Sequence, residues 1–262
     1  MTDAPANGPR LTGNVPLYKD PVPLNKNDHR SLGLKSIEKP YEFVRETHFV
    51  PTVVGEFGLG SAYYPIIFIG DRKMPALVMG LQKGQNLFIT EDGQFDNEFM
   101  VPAFIRRYPF VSASNGPDQP ATFCFDRAAA VISDKPDFPF FDETGEPTSV
   151  TQEAIDFVSA FESDSRVTER FVARLIELDL FEKKEVKVAD PNDRSKSIKV
   201  ADYYGVSEEK LLALPDDVFL AAKKDGLLGP IYAHMLSLSR WERILNRYFR
   251  AVGQAQAAKP AN

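Results

Sequence analysis

The chain has 262 residues, enough for one large domain or two small ones with a real apolar core. Hydrophobic residues make up 43% and charged residues 26%, the balance of an ordinary globular protein and not of a disordered or fibrous one. A net charge of -6 argues against binding to nucleic acid, because phosphate contacts need a basic face.

Residues 1–24 carry Pro5, Pro9, Pro16, Pro21 and Pro23. This density disfavours helix and sheet alike and predicts an extended arm, laid over the domain through Leu17, Tyr18 and Val22. The same segment lacks a basic stretch followed by an apolar one, so no secretory signal is expected. No run approaches the roughly 20 apolar residues of a membrane-spanning helix. A soluble, cytoplasmic protein is the expectation.

The first half reads as β-rich, over about 45–135. His48–Val54, Tyr64–Ile69 and Pro75–Leu81 are apolar, β-branched or aromatic runs broken by Gly, Pro and Asp. Asn86–Thr90 leads into Glu91-Asp92-Gly93, a hairpin-turn signal in which Gly supplies the positive φ. Asp96–Arg107 predicts a short helix despite Pro102. Pro109 discourages helix at Tyr108. Ala121–Phe125 and Ala128–Ile132 add two short strands.

The second half reads as mainly helical, over 149–250. Ser149 with Gln152 resembles a capping box. Ile155, Val158, Phe161, Val167, Phe171, Leu175 and Leu178 then follow at helical spacing. Phe181–Val188 and Ser197–Tyr203 predict strands joined by the Pro191-Asn192-Asp193 turn. Ser207 caps a short helix through Leu212. Leu227–Phe249 reads as one terminal helix, with Pro230 in its first turn. From about 251 the tail frays. The fold class is therefore α+β: a Pro-rich arm over 1–24, a single α+β domain over 25–250, and a flexible tail over 251–262.

Most tests for chemistry are negative. His29, His48 and His234 lack neighbours at metal-ligand spacing. His48 and His234 read as hydrogen-bonded packing residues and His29 as exposed. The lone Cys124, between Phe123 and Phe125, reads as a buried inert thiol rather than a nucleophile. Gly55, Gly58 and Gly60 follow a strand, but their GxxGxG spacing and the nearby Pro65 fit a packed bend better than a phosphate loop. No metal, no cofactor and no catalytic residue is expected. The densest polar and aromatic cluster is Arg106, Arg107 and Tyr108, followed by Pro109 and Phe110. Guanidinium groups bind carboxylate or phosphate in bidentate fashion, which makes these three the candidate ligand- or partner-binding residues. The competing reading is that they complement a helix C-terminus and hold loops. Adjacent helical residues point about 100° apart, so one arginine is expected to turn inward and the other toward solvent.

The order of several short segments resembles the SapC family of bacterial proteins. They are Phe49-Val50-Pro51, Glu56-Phe57, Tyr64-Pro65-Ile66-Ile67-Phe68, Asn86-Leu87-Phe88-Ile89, Gly93, and Val101-Pro102-Ala103 through Arg106-Arg107-Tyr108-Pro109-Phe110. Tyr232-Ala233-His234 and Leu236-Ser237-Leu238 follow near the C-terminus. The resemblance implies a gene linked to a bacterial surface layer. It also implies neighbours encoding TonB-dependent receptors, halogenase-like flavoproteins and cupin-like oxygenases. It supplies no catalytic residues. A membrane permease of the same name is a different protein, since this chain predicts no span. Two functions are therefore expected in competition, ahead of a third, a structural surface-layer subunit. One is a non-catalytic accessory protein that binds another protein in an envelope, surface-layer or nutrient-uptake system. The other is an enzyme or enzyme subunit that modifies a peptide or amino acid.

Overall fold

A computed structural model describes residues 16–113, 121–189 and 197–257. The first part of the arm, the Pro191-Asn192-Asp193 turn and the end of the tail lie outside the described residues. The chain runs through β1 (Pro21–Pro23), β2 (Gly33–Leu34), β3 (Phe49–Pro51), α1 (Phe57–Gly60), β4 (Ile66–Ile69), β5 (Met74–Val78) and α2 (Ala103–Arg106). Next come β6 (Phe110–Ala113), β7 (Thr122–Asp126), β8 (Ile132–Ser133), β9 (Phe138–Pro139) and the long helix α3 (Ser149–Glu177). The remainder is β10 (Phe181–Ala189), β11 (Ser197–Val206), α4 (Glu208–Leu212), α5 (Asp216–Lys224), α6 (Leu228–Ser237) and α7 (Trp241–Ala257). The α+β class and the mainly helical C-terminal half agree with the sequence reading.

The chain divides into two compact units assembled from alternating segments. The first takes Met1–Phe43, Asp92–Gln94 and Ile105–Ser163; the second takes Val44–Glu91, Phe95–Phe104 and Asp164–Asn262.

In the first unit two three-stranded antiparallel sheets form, ordered β1-β7-β6 and β8-β2-β9. Side chains alternate across the first sheet, as the two-residue period of a strand requires. Phe110 and Phe125 join Phe140, Phe141 and Val158 in one cluster, while Val111, Ala113 and Cys124 join Tyr18 in another. The arm enters here. Pro21 and Pro23 were expected to prevent pairing, yet β1 pairs with β7, Val22 opposite Phe125. It does so as an edge strand, the place where a missing N–H is tolerated. Tyr18 is buried as expected, and its hydroxyl donates to the Phe110 carbonyl at 2.6 Å.

In the second unit a five-stranded sheet has the order β10-β11-β4-β5-β3, with β10 on one edge. Ile66, Phe68, Ala76 and Leu77 are fully buried at its centre. Phe68 meets Phe181 and His234 edge-on at 4.9 and 5.1 Å. The Gly93 turn forms with φ +76°, closing an Ile89–Phe95 bridge. The expected helix over Asp96–Arg107 shrinks to α2. Asp96 turns the chain by accepting the Glu98 N–H on its own carboxylate, and Pro102 cannot donate into a preceding helix. The Glu56 carboxylate, buried, accepts the Ala103 N–H at 2.7 Å and so caps α2 from outside its own sequence.

Two other boundaries differ from the sequence reading. Ala128–Val131 turn instead of extending, leaving only β8 as strand. The Ser149–Gln152 capping box does not form; α3 starts after Thr148, whose carbonyl accepts the Gln152 N–H, and Gln152 itself bonds Asp156. Val167 is 40% exposed, and Thr168 takes the buried position beside it, its hydroxyl accepting the Val54 N–H at 2.8 Å.

The terminal helix is also not continuous. It breaks into α6, a 3-10 turn over Leu238–Arg240, and α7. Two serines explain the break: Ser237 and Ser239 donate back to the carbonyls of His234 and Leu236. Such back-bonding competes with the helix ladder and bends it. The geometry has a purpose in the sheet. The pairing of β11 with β4 is confined to Tyr204 and Phe68. Beside it, the Ile66 N–H donates to the Ser237 hydroxyl at 2.9 Å. The Ile66 carbonyl accepts from Nδ1 of His234 at 2.8 Å, and Nε2 accepts the Val206 N–H at 3.0 Å. Two side chains of α6 therefore stand where a strand would have satisfied β4.

His234 is fully buried, and burial pushes its pKa down to about 4. A histidine with a depressed folded pKa stabilises the fold above its unfolded value near 6.5. That stability is lost as pH falls from there toward 4, to a total of roughly 3 kcal/mol. Thermal denaturation of the full chain should therefore show its melting temperature dropping across this window. His234→Gln should melt lower at pH 7 and show a flatter dependence between pH 6.5 and 4.5. An identical slope in both proteins would rule this histidine out as the source.

Candidate functional site

The three residues singled out by the sequence lie together in the first unit but face different ways. Arg107 is buried and Arg106 exposed, the inward and outward arrangement that the helical offset predicts. Arg107 Nη1 lies 3.7 Å from Glu162 on α3, and its guanidinium sits over the Phe161 ring at 4.5 Å and the Tyr18 ring at 5.8 Å. Burial lowers the Arg107 pKa, and the neighbouring Tyr18 and Glu162 oppose that shift. Tyr18 in turn is pushed up to about 12 by burial. Arg106 lies over the Phe157 ring at 5.0 Å.

Tyr108 is half-buried. Its ring stacks on Phe43 at 4.0 Å, and its hydroxyl donates to Asp126 at 3.3 Å. Asp126 is fully buried and gathers the arm: it accepts the N–H groups of Lys19 and Asp20, both at 2.9 Å, and that of Ala128 at 3.1 Å. A carboxylate surrounded by backbone donors is a structural clamp. The cluster thus holds the arm on the sheet, with Arg106 as its outward-facing member.

The other sequence candidates settle as packing groups. Cys124 is buried, and desolvation pushes its thiol up to about 11, far from a reactive thiolate. His29 is half-buried instead of exposed; it meets Phe125 edge-on at 5.0 Å and accepts the Asn25 N–H. His48 is half-buried against Phe49, and burial lowers its pKa. The glycine segment forms a 3-10 turn and α1. A Cβ on Gly55 would come within 2.7 Å of the Asp164 carboxylate on α3, which accounts for that glycine by close packing. Among the described residues no group of His, Cys, Asp and Glu could hold a metal, and no helix is long and apolar enough to cross a membrane.

In the second unit a groove of about 380 Å³ runs beside α7, lined by Phe99, Arg240, Arg243, Asn246, Arg247 and Arg250. Glu98, Ser239 and Glu242 complete it. The arginines recur at intervals of three, four and three residues, which places them on one helix face. Trp241 and Ile244, on the same turns, are buried. Arg247 is tied down: Nε donates to the Leu87 carbonyl at 3.0 Å, Nη2 meets Asp96 at 2.6 Å, and the guanidinium lies 4.8 Å from both Phe88 and Phe99. Arg243 Nη1 bridges the carbonyls of Ala62 and Tyr63 at 3.2 and 3.1 Å, and Arg240 Nε reaches that of Ser61 at 3.3 Å. Sequence reasoning followed only the apolar face of this helix. The spacing of Arg240, Arg243, Arg247 and Arg250 was the available signal.

The two arginines of the first cluster should separate in experiment. Arg107→Ala removes a buried cation beside Glu162 and should destabilise the chain by roughly 1–3 kcal/mol. Arg106→Ala should stay within about 0.5 kcal/mol, as surface changes do. Urea denaturation of both single variants checks this; equal losses would place the two guanidinium groups in the same structural role.

No curated protein and no solved structure matches the chain. A model of the SapC family matches residues 24–244, which include Arg106, Arg107, Tyr108, Asp126, Arg240 and Arg243, and the chain belongs to the SapC family.

Proposed function

We propose that the chain is a non-catalytic accessory protein of a bacterial envelope, surface-layer or TonB-dependent nutrient-uptake system. It acts in the cytoplasm by binding another protein. The observation that carries this reading is where the reactive groups lie. His234 and Asp126 are fully buried and bonded to the chain's own backbone, and Cys124 is sealed among apolar neighbours. Arginine, by contrast, is exposed at Arg106 and Arg250, and the partly buried Arg240, Arg243 and Arg247 line a groove. Arginine is enriched at protein interfaces, where its planar fork and aromatic stacking favour recognition.

The competing enzyme reading asks for a pocket where Arg106 or Arg107, Tyr108 and a histidine converge. Arg107 faces Glu162 and Phe161, Tyr108 faces Asp126, and Arg106 lies over Phe157. These directions favour the binding reading. Within it, Arg106 is the contact offered to a partner from the first unit, with Arg107 and Tyr108 supporting the surface beneath it.

The test is affinity isolation of the tagged full-length chain from its bacterial host, followed by native mass spectrometry. The expected result is one protein in fixed stoichiometry, re-forming from purified components without chemical change to either. Arg106→Ala should weaken that re-formation several-fold while leaving the melting temperature unchanged. A bound small molecule that is converted on incubation, with no stoichiometric protein, would overturn the proposal in favour of an enzyme.

A further inference from the structure

We infer that the groove beside α7 is a docking site for an acidic peptide segment, read through Arg240, Arg243 and Arg250. This rests on the partner-binding reading and names the chemistry of what is bound. The first argument is hydrogen-bond capacity. Arg240 commits Nε to the Ser61 carbonyl, which leaves its Nη1–Nη2 edge to the groove. Arg243 commits Nη1 to Ala62 and Tyr63, which leaves its Nε–Nη2 edge. Each remaining edge is a two-donor fork of the kind that matches a carboxylate. The carbonyl bonds fix the forks in place, so little side-chain entropy is lost on binding. Phe99, 5.4 Å below the Arg243 guanidinium, holds that plane from the other side.

The division of labour between the arginines supports the same reading. Arg247 has both Nε and Nη2 engaged, by Leu87 and Asp96, and serves as the floor of the groove. Arg250 is exposed at its far end.

Length and composition select the ligand. From Arg240 to Arg250 the face extends about 15 Å along the helix axis. That suits an extended peptide of about five residues, in which alternate side chains point the same way about 7 Å apart. A single small anion would use only one fork. A continuous phosphate chain has no N–H groups to offer Glu98 and Glu242, which stand at the groove. The same carboxylates, with Asn246 and Ser239, suit the N–H groups of a peptide backbone.

The test is a fluorescence-anisotropy titration of the purified full-length chain. The probes are a fluorescein-labelled peptide of alternating glutamate and glycine, six residues long, and a labelled single strand of six thymidines. The peptide should bind at low ionic strength, weaken with added salt and exceed the thymidine strand. Arg240→Gln combined with Arg243→Gln should weaken peptide binding at least ten-fold. Arg243 also holds backbone carbonyls, so the exposed Arg250→Gln is measured as well and should weaken binding several-fold at an unchanged melting temperature. Arg127→Gln, in the first unit, should bind as the unaltered chain does. Absent peptide binding, or binding indifferent to Arg240, Arg243 and Arg250, would overturn the inference. Tighter binding of the thymidine strand through the same arginines would replace it with a phosphate site. If those variants leave the isolated stoichiometric complex intact, only the groove assignment fails. If no such complex exists, the partner-binding reading itself has failed.

Discussion

The central sheet of the second unit depends on how the backbone of Ile66 is satisfied. A buried N–H or carbonyl left without a partner costs roughly 1–3 kcal/mol. Ile66 is fully buried in β4, and its polar groups on the side away from β5 meet α6, not another strand. Ser237 takes the N–H and His234 takes the carbonyl. Because His234 also accepts from Val206, one imidazole joins β4 to β11 where their ladder is a single pair. Several features follow from this. The imidazole must be neutral with its proton on Nδ1, since only that form donates to Ile66 and accepts from Val206. Position 205 is closely packed: a Cβ on Gly205 would lie 3.3 Å from Nε2 and 2.8 Å from the end of the Lys184 side chain. The serine that serves Ile66 also ends α6, and the 3-10 turn that follows sets where α7 and its arginines begin.

The first unit is organised by an analogous device with the opposite charge chemistry. Asp126 ends β7 and turns its carboxylate onto the backbone of the arm, while Tyr108 and Tyr18 close over it. In both units a buried polar side chain completes backbone hydrogen bonding that no strand supplies. This is why groups that look chemically promising in the sequence are engaged in structure. Arg106 and Arg250, by contrast, stand exposed.

How much of this was legible in the sequence depends on the range over which each signal acts. The strand at β7, the helical spacing of Val158, Phe161, Phe171 and Leu175, and the Gly93 turn are local, and each appears as read, whereas β6 had no local signal that was followed. The opposed directions of Arg106 and Arg107 match the helical offset, although α2 itself ends at Arg106. Misreadings occurred where a distant group decided the outcome. Glu56 caps α2 from 47 residues away, so neither Asp96 nor Pro102 could reveal where that helix starts. The break at Leu238 needed the knowledge that Ser237 faces a strand 171 residues earlier. Pro21 and Pro23 argued against a strand because nothing local said that β7 had an edge to offer. The α7 arginines were visible at their three-four-three spacing. Their meaning depended on Ser61, Ala62, Leu87 and Asp96, which only folding brings to them.

β10 bears on how copies of this protein coexist at high concentration. It is a nine-residue edge strand, long enough to template pairing with a second molecule. Its sequence places Glu182, Lys183, Lys184, Glu185 and Lys187 along that edge, with charge on both faces. Lys184 pairs with Glu182, and Lys187 and Lys199 both pair with Glu185. A strand arriving to extend the sheet would have to sit beside these charges and strip water from lysine on either face. The same charges that look like an undistinguished solvated strand therefore act as gatekeepers against amyloid-like stacking.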